Sequence, residues 1–193
     1  MQVCRPLFAV RLTSFIIGAA GTVYALFGCG VGHAGELPAK ALVYCSDASP
    51  AGFDPAQYTT SVEFSAAAYT IYNRLVEFEH GGTKIEPGLA EKWDVSDDGR
   101  VYTFHLRHGV KFHKGYGEMT ADDVAHSFLR ARDRGVSVAN YGNLADVQPS
   151  GKYEVTIALK NPDPMFLSSV VATANVMVVS KKAEAELGDK FAT

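Results

Sequence analysis

Apolar and polar residues alternate most sharply between Gly88 and Gly115. After Ser96-Asp97-Asp98-Gly99, the residues Tyr102, Phe104 and Leu106 fall on one face of a strand, and Val101, Thr103, His105 and Arg107 on the other. Before that stretch, Trp93 and Val95 alternate with Lys92, Asp94 and Ser96. The stretch itself is a turn signal. Gly reaches positive φ without a steric penalty, and Asp hydrogen-bonds its own nearby backbone. The pattern predicts a hairpin whose Tyr102, Phe104 and Leu106 face meets a core, followed by a short third extended piece.

The same period returns downstream, where Tyr153, Val155, Ile157 and Leu159 alternate with Glu154, Thr156 and Ala158. With Leu144 to Gln148 they predict a second hairpin over Pro149-Ser150-Gly151-Lys152. Between the hairpins the period becomes helical. Thr120 is the expected N-cap of a helix to Asp133, with acids in its first turn and Val124, Phe128 and Leu129 facing inward. Arg130, Arg132 and Arg134 lie near its far end, where the helix dipole favours positive charge, and Gly135 ends it. Upstream, Phe64, Ala68, Ile71, Tyr72 and Leu75 share a helical face, which predicts a helix over 64–75 and a strand over 76–79. Ala39 to Ser46 reads as a short apolar strand. Past Pro162-Asp163-Pro164, a short helix is expected over 165–172, a buried strand over 177–180 and a further helix over 181–188.

Composition adds little until the N-terminus is considered. With 193 residues, 47% hydrophobic and 20% charged, one globular domain is the default and two small ones are possible. A formal charge of −3 gives no reason to expect a nucleic-acid partner. Residues 1–34 stand apart. Arg5 and Arg11 are followed by an uncharged run from Leu12 to Val31, then by Gly32-His33-Ala34, a small-x-small cleavage pattern. Three readings are open: an export signal cut after Ala34, a retained membrane anchor, or a lipobox at Leu26-Phe27-Gly28-Cys29 that would acylate Cys29. Gly18, Gly21, Gly28 and Gly30 in the run, together with the cleavage site, favour the export signal. Its removal would leave 16 basic and 21 acidic residues and a net charge of −5. Cys4 and Cys29 would leave with it or be acylated, so Cys45 would be the lone thiol, either awaiting a partner or buried as a small apolar side chain.

The residues from Pro87 to His113 carry a longer pattern, P-G-L-A-E-x-W-x-V-S-x-D-G-x-x-Y-T-F-x-L-R-x-G-V-K-F-H, followed at Thr120 to Phe128 by T-A-x-D-V-x-x-S-F. Two linked blocks of this length resemble the extracellular solute-binding proteins that feed ABC importers for peptides and nickel. Leu42-Val43-Tyr44-Cys45-Ser46 adds a likeness to the dipeptide-binding branch. The resemblance implies an α/β fold of the type II periplasmic-binding-protein kind. It divides the chain into a signal (1–34), a first segment of the main ligand-binding lobe (35–71), an inserted subdomain (72–177) and a return towards the main lobe (178–193). It also implies capture of short peptides in the periplasm by a monomer that delivers them to an importer's permease and ATPase subunits. It places Tyr58, Thr59, Thr60 and Ser61 at the ligand cleft, although small hydroxyl residues equally suit a helix cap, with Ser61 near the N-terminus. It gives Cys45 a disulfide partner much further along, which these 193 residues do not contain. In the family a glycine-rich segment returns to the main lobe just past the position of Thr193, so the expectation is a truncated chain that binds no dipeptide tightly alone, with a stand-alone envelope interaction domain as the alternative of another class.

Other chemistry finds less support. His105, His108 and His113 follow H-x2-H-x4-H, no recognised metal box, and read as surface or hydrogen-bonded histidines. Haem and nickel stay open only through relatives in the resembling family that carry them. Arg74 reads as an ion-pairing or capping residue before a ligand contact. Asp122 and Asp123 are adjacent in a first helical turn, so they diverge and cannot act as a carboxylate pair. With no G-x-S-x-G elbow and no phosphate-binding glycine loop, no enzyme is expected.

Overall fold

The computed structural model describes residues 48–68, 70–136, 138–173 and 176–192. The 1–34 leader, the Cys29 lipobox, the 39–46 strand and Cys45 lie outside the described residues.

The central hairpin forms as its pattern predicts. Strand β3 (Ala90–Val95) pairs antiparallel with β4 (Val101–Leu106), with Trp93 opposite Phe104. Gly99 takes φ +67°, the left-handed value the turn requires. Asp98 Oδ1 accepts from Ser96 Oγ at 2.6 Å and from Arg100 N at 3.2 Å. The second hairpin, β5 (Leu144–Gly151) and β6 (Glu154–Leu159), adds to the other side of β4 and gives the antiparallel order β3-β4-β6-β5. Pro149 sits in β5, an edge strand, where a missing N–H is tolerated. A separate pair, β1 (Val76–Phe78) and β2 (Ile85–Pro87), precedes this sheet.

One face of the sheet carries the core. Tyr102, Phe104 and Leu106 are buried, as are Val155, Ile157 and Leu159 beside them. Helix α2 (Ala121–Arg134) covers this face with Val124, Phe128 and Ala131, while Leu129 is only half-buried. Thr120 caps it in a reciprocal box with Asp123. Phe166 closes the core over Tyr102, ring centroids 4.9 Å apart, and the Tyr102 hydroxyl donates to the Asp163 carbonyl at 3.0 Å.

The turn expected over Pro149-Ser150-Gly151-Lys152 falls instead at Lys152 and Tyr153, with Pro149 to Gly151 inside β5, and three predicted elements differ further. In place of a helix over 64–75 there is a single turn, α1 (Ser61–Glu63), continuing as a π-type turn over Phe64–Ala68. Ile71 is exposed and Leu75 enters the core from extended chain, so apolar spacing marked burial here without marking a helix. The 165–172 segment is likewise one π-type turn, Leu167–Val171. Residues 177–180 are buried as expected, but they form no strand ladder among the described residues. Helix α3 (Lys181–Leu187) follows, capped by Ser180 Oγ accepting from Ala183 N at 3.2 Å.

Candidate functional site

The segment from Ala51 to Glu63 carries the four predicted cleft residues, and two carboxylates hold it. Glu63 accepts from Ala51 N and Thr60 N, each at 3.1 Å, and from the Thr60 hydroxyl. Thr60, not Ser61, is the N-cap; Ser61 is the first helical residue and exposed. The Thr60 hydroxyl, then the Ala51 N–H, hold the Glu63 carboxyl below its ordinary range. Asp54 is the second anchor. Its Oδ1 accepts from Ala56 N at 3.0 Å, and its backbone carbonyl accepts from Gln57 N at 3.1 Å and Tyr58 N at 2.9 Å. The Tyr58 ring lies against Gly52, where a Cβ would overlap it.

Asp54 meets α2 through charge. Arg130 Nη1 donates to Asp54 Oδ1 at 2.8 Å, and Nη2 donates to Oδ2. The third arm of the guanidinium, Nε, donates to Glu184 Oε1 of α3 at 2.8 Å. Glu184 also bonds His126 Nε2 and lies 3.4 Å from Arg134 Nη2. Burial alone would raise the Glu184 carboxyl, but the bonds from Arg130 and His126 outweigh it and leave it below its ordinary range. For Arg130 the cost of burial opposes the charge, and the two carboxylates more than restore it. Arg130 and Asp54 are 7% and 1% exposed, so this is a buried ion pair with its hydrogen-bonding capacity met.

A cleft of about 620 Å³ opens beside this network. Tyr58 stands on one wall and Phe191 on another, with the Arg130 guanidinium carbon 5.6 Å from the Phe191 ring centre. Lys181, Arg134 and Asp189 place exposed charges of both signs on its rim. Charge, hydrogen bonds and aromatic faces suit the cleft to holding a small polar solute.

The predicted residues are thus partly brought together. Tyr58 lines the cleft; Thr59 is half-buried and outside its lining; Thr60 is committed to its cap. Arg74 lies 4.0 Å from Glu77, an ion-pair placement. His105 sits between Asp94, at 2.8 Å, and Glu154, at 3.3 Å, while His108 stacks on Tyr153. Among the described residues no group of three His, Cys, Asp or Glu could hold a metal. Helix-dipole reasoning fits Arg132 and Arg134 but not Arg130, whose partners are 76 and 54 positions away. Asp54 and Arg130 carried no local signal. Glu63 did, in Thr60-Ser61-Val62-Glu63, a capping-box spacing.

The cleft lies between the Asp54 loop, α2 and α3, and the long motif lies on the β3–β4 hairpin. The chain belongs to the bacterial extracellular solute-binding proteins, family 5, whose middle region matches residues 84–193. It is 61% identical over 101 residues to di/tripeptide-binding protein 1 of Pseudomonas aeruginosa UCBPP-PA14, covering 50% of this chain and 19% of that protein. It is 41% identical over 147 residues to heme-binding protein A of Haemophilus influenzae Rd, covering 67% of this chain and 28% of that one. Among solved structures it is similar to a dipeptide-binding protein from Pseudoalteromonas sp. SM9913 in complex with Met-Leu, with a TM-score of 0.69 and 29% identity over 78% of this chain and 33% of that chain. The fold is therefore α/β, of the type II periplasmic-binding-protein kind. The chain spans about a fifth to a third of the length of these relatives. Proteins of this family bind solutes for transport, and family membership carries the reading that the chain is no enzyme.

Proposed function

We propose that this chain belongs to the substrate-binding component of an ABC importer and serves to capture short peptides in the periplasm. The observation that carries this reading is the 61% identity to a protein named for di- and tripeptide binding. The cleft supports it, since Tyr58 and the exposed charges of Lys181, Arg134 and Asp189 suit a solute with two charged ends. In this reading residues 35–71 and 178–193 are parts of the main lobe, residues 72–177 are the inserted subdomain, and Tyr58, Thr59, Thr60 and Ser61 meet the solute. The protein works as a monomer after export by its 1–34 leader, with acylation at Cys29 as the alternative end state. Cys45 pairs with a cysteine of a longer chain. Permease and ATPase subunits of the importer are its partners.

An open cleft buries only part of a ligand, so these 193 residues alone bind dipeptides weakly. Titrating the labelled chain with Met-Leu and following its amide NMR signals tests both points. The expected result is movement of the Tyr58, Thr59, Thr60 and Ser61 signals at millimolar peptide. Micromolar affinity would remove the weak-binding reading, and movement confined to other residues would remove the site. The similarity to a heme-binding protein supports a second reading, a haem carrier. A Soret band that shifts and saturates on addition of haem, with no response to Met-Leu, would put it first.

A further inference from the structure

We propose that Arg130 is the positioning residue of the solute-facing loop: from helix α2 it grips Asp54 and so sets the backbone that presents Tyr58 to Ser61. This rests on the reading of that loop as a solute contact.

Asp54 is the hub of the loop. Its side chain reaches out to Arg130 and back to Ala56 N, while its carbonyl gathers the N–H groups of Gln57 and Tyr58. Asp54 thus holds three backbone amides, one through its carboxylate and two through its carbonyl, so fixing this residue fixes the start of the loop. The grip is two-pronged, Nη1 to Oδ1 and Nη2 to Oδ2, and a planar fork on a planar carboxylate fixes orientation as well as distance. Glu184 of α3 takes the remaining Nε, and the two prongs on Asp54 are independent of that bond. A second tie lies just past the end of α2, where Val136 N donates to the Ala56 carbonyl at 2.9 Å. The loop supplies little packing of its own. Phe53 is exposed, Tyr58 is half-buried, and of the hub's neighbours the small residues Gly52, Pro55 and Ala56 are buried. A segment with few buried contacts opens locally at low cost unless something pins it. Arg130 is 7% exposed and committed on all three arms, so although it borders the cleft its work is to hold the loop.

The test is amide hydrogen exchange on the full 193-residue chain, without peptide, for Asp54→Asn, Arg130→Met and Glu184→Gln. Breaking the Asp54 grip should speed exchange at Ala56, Gln57 and Tyr58 by roughly tenfold or more, with Tyr102 to Leu106 unchanged. Glu184→Gln should loosen residues 181–187 and leave the loop protected. If Arg130→Met does not fold, Asp54→Asn and Glu184→Gln carry the comparison. Unchanged loop exchange in Asp54→Asn would overturn the proposal, and so would an equal rise in β4, which would make the pair a general stabiliser. The Met-Leu titration is read separately. If the loop loosens but Met-Leu never moves its signals, the anchoring stands and the solute reading falls. If Met-Leu binds Asp54→Asn at this loop as well as it binds the unmodified chain, the solute reading stands and the positioning role falls.

Discussion

Around Phe104 the neighbours are apolar and arrive in register: Val155 lies opposite on β6, Trp93 on β3, and α2 closes the face above. Around Arg130 the neighbours are carboxylates drawn from a loop and a helix far away in the chain. Both places are buried, yet they respond differently to change. An apolar core loses stability in proportion to what is removed, because burial is additive over area. A buried ion pair gains little when made, since desolvation offsets attraction, but costs much when one partner is taken away. The core makes the fold stable, and the charged corner makes one arrangement of the loop, α2 and α3 preferable to others.

That contrast is sharpened most by the core. Phe104 is fully buried, and Phe104→Ala should destabilise the chain by about 3–5 kcal/mol, read from urea unfolding. A loss near 1 kcal/mol would mean that the face collapses around the missing ring. Next comes Arg130→Met, which strands Asp54 and Glu184. Breaking a buried pair costs about 3–5 kcal/mol, and the lower figure is expected here because the open cleft lets water reach the stranded carboxylates. No measurable loss in the same unfolding experiment would abolish the distinction between the two regions. Thr120→Ala removes one side of the α2 cap and should cost about 1 kcal/mol without altering exchange at the Asp54 loop.

The smallest effect concerns a surface charge. Glu118 accepts from Gly109 N at 2.7 Å and from Lys152 Nζ at 3.1 Å, and this holds its carboxyl down to about 2. The folded value lies below the ordinary carboxyl value of 4.5, so the stabilising contribution is present above 4.5 and fades as pH falls through about 2. The Gly109 amide signal should therefore inflect near pH 2 in an NMR titration. An inflection at 4.5 would show that the contact is not kept in solution.

The two regions also differ in how far they could be read before folding. Alternation marked Tyr102, Phe104 and Leu106 as a core face because a strand's neighbours two residues apart share a side. Thr120 announced its helix because a cap satisfies N–H groups only two or three residues away. The helical spacing of Phe64 to Leu75 misled for a related reason: periodicity records which residues are buried, and an irregular chain threading a core buries residues at similar intervals. Ser61 lies at a helix N-terminus as its hydroxyl neighbourhood suggested, and Glu63 reaching back makes Thr60 the cap.

Residue identity and spacing therefore settled the hairpins, the α2 cap and, through the motif from Pro87 to His113, the family. All of these rest on interactions within a few residues or on a long literal match. The union of Asp54, Arg130 and Glu184 was decided in three dimensions alone. An arginine near a helix C-terminus looks the same in one dimension whether it faces water or two distant carboxylates. Charge carries no period, so nothing short of the packed chain tells which carboxylate it will meet.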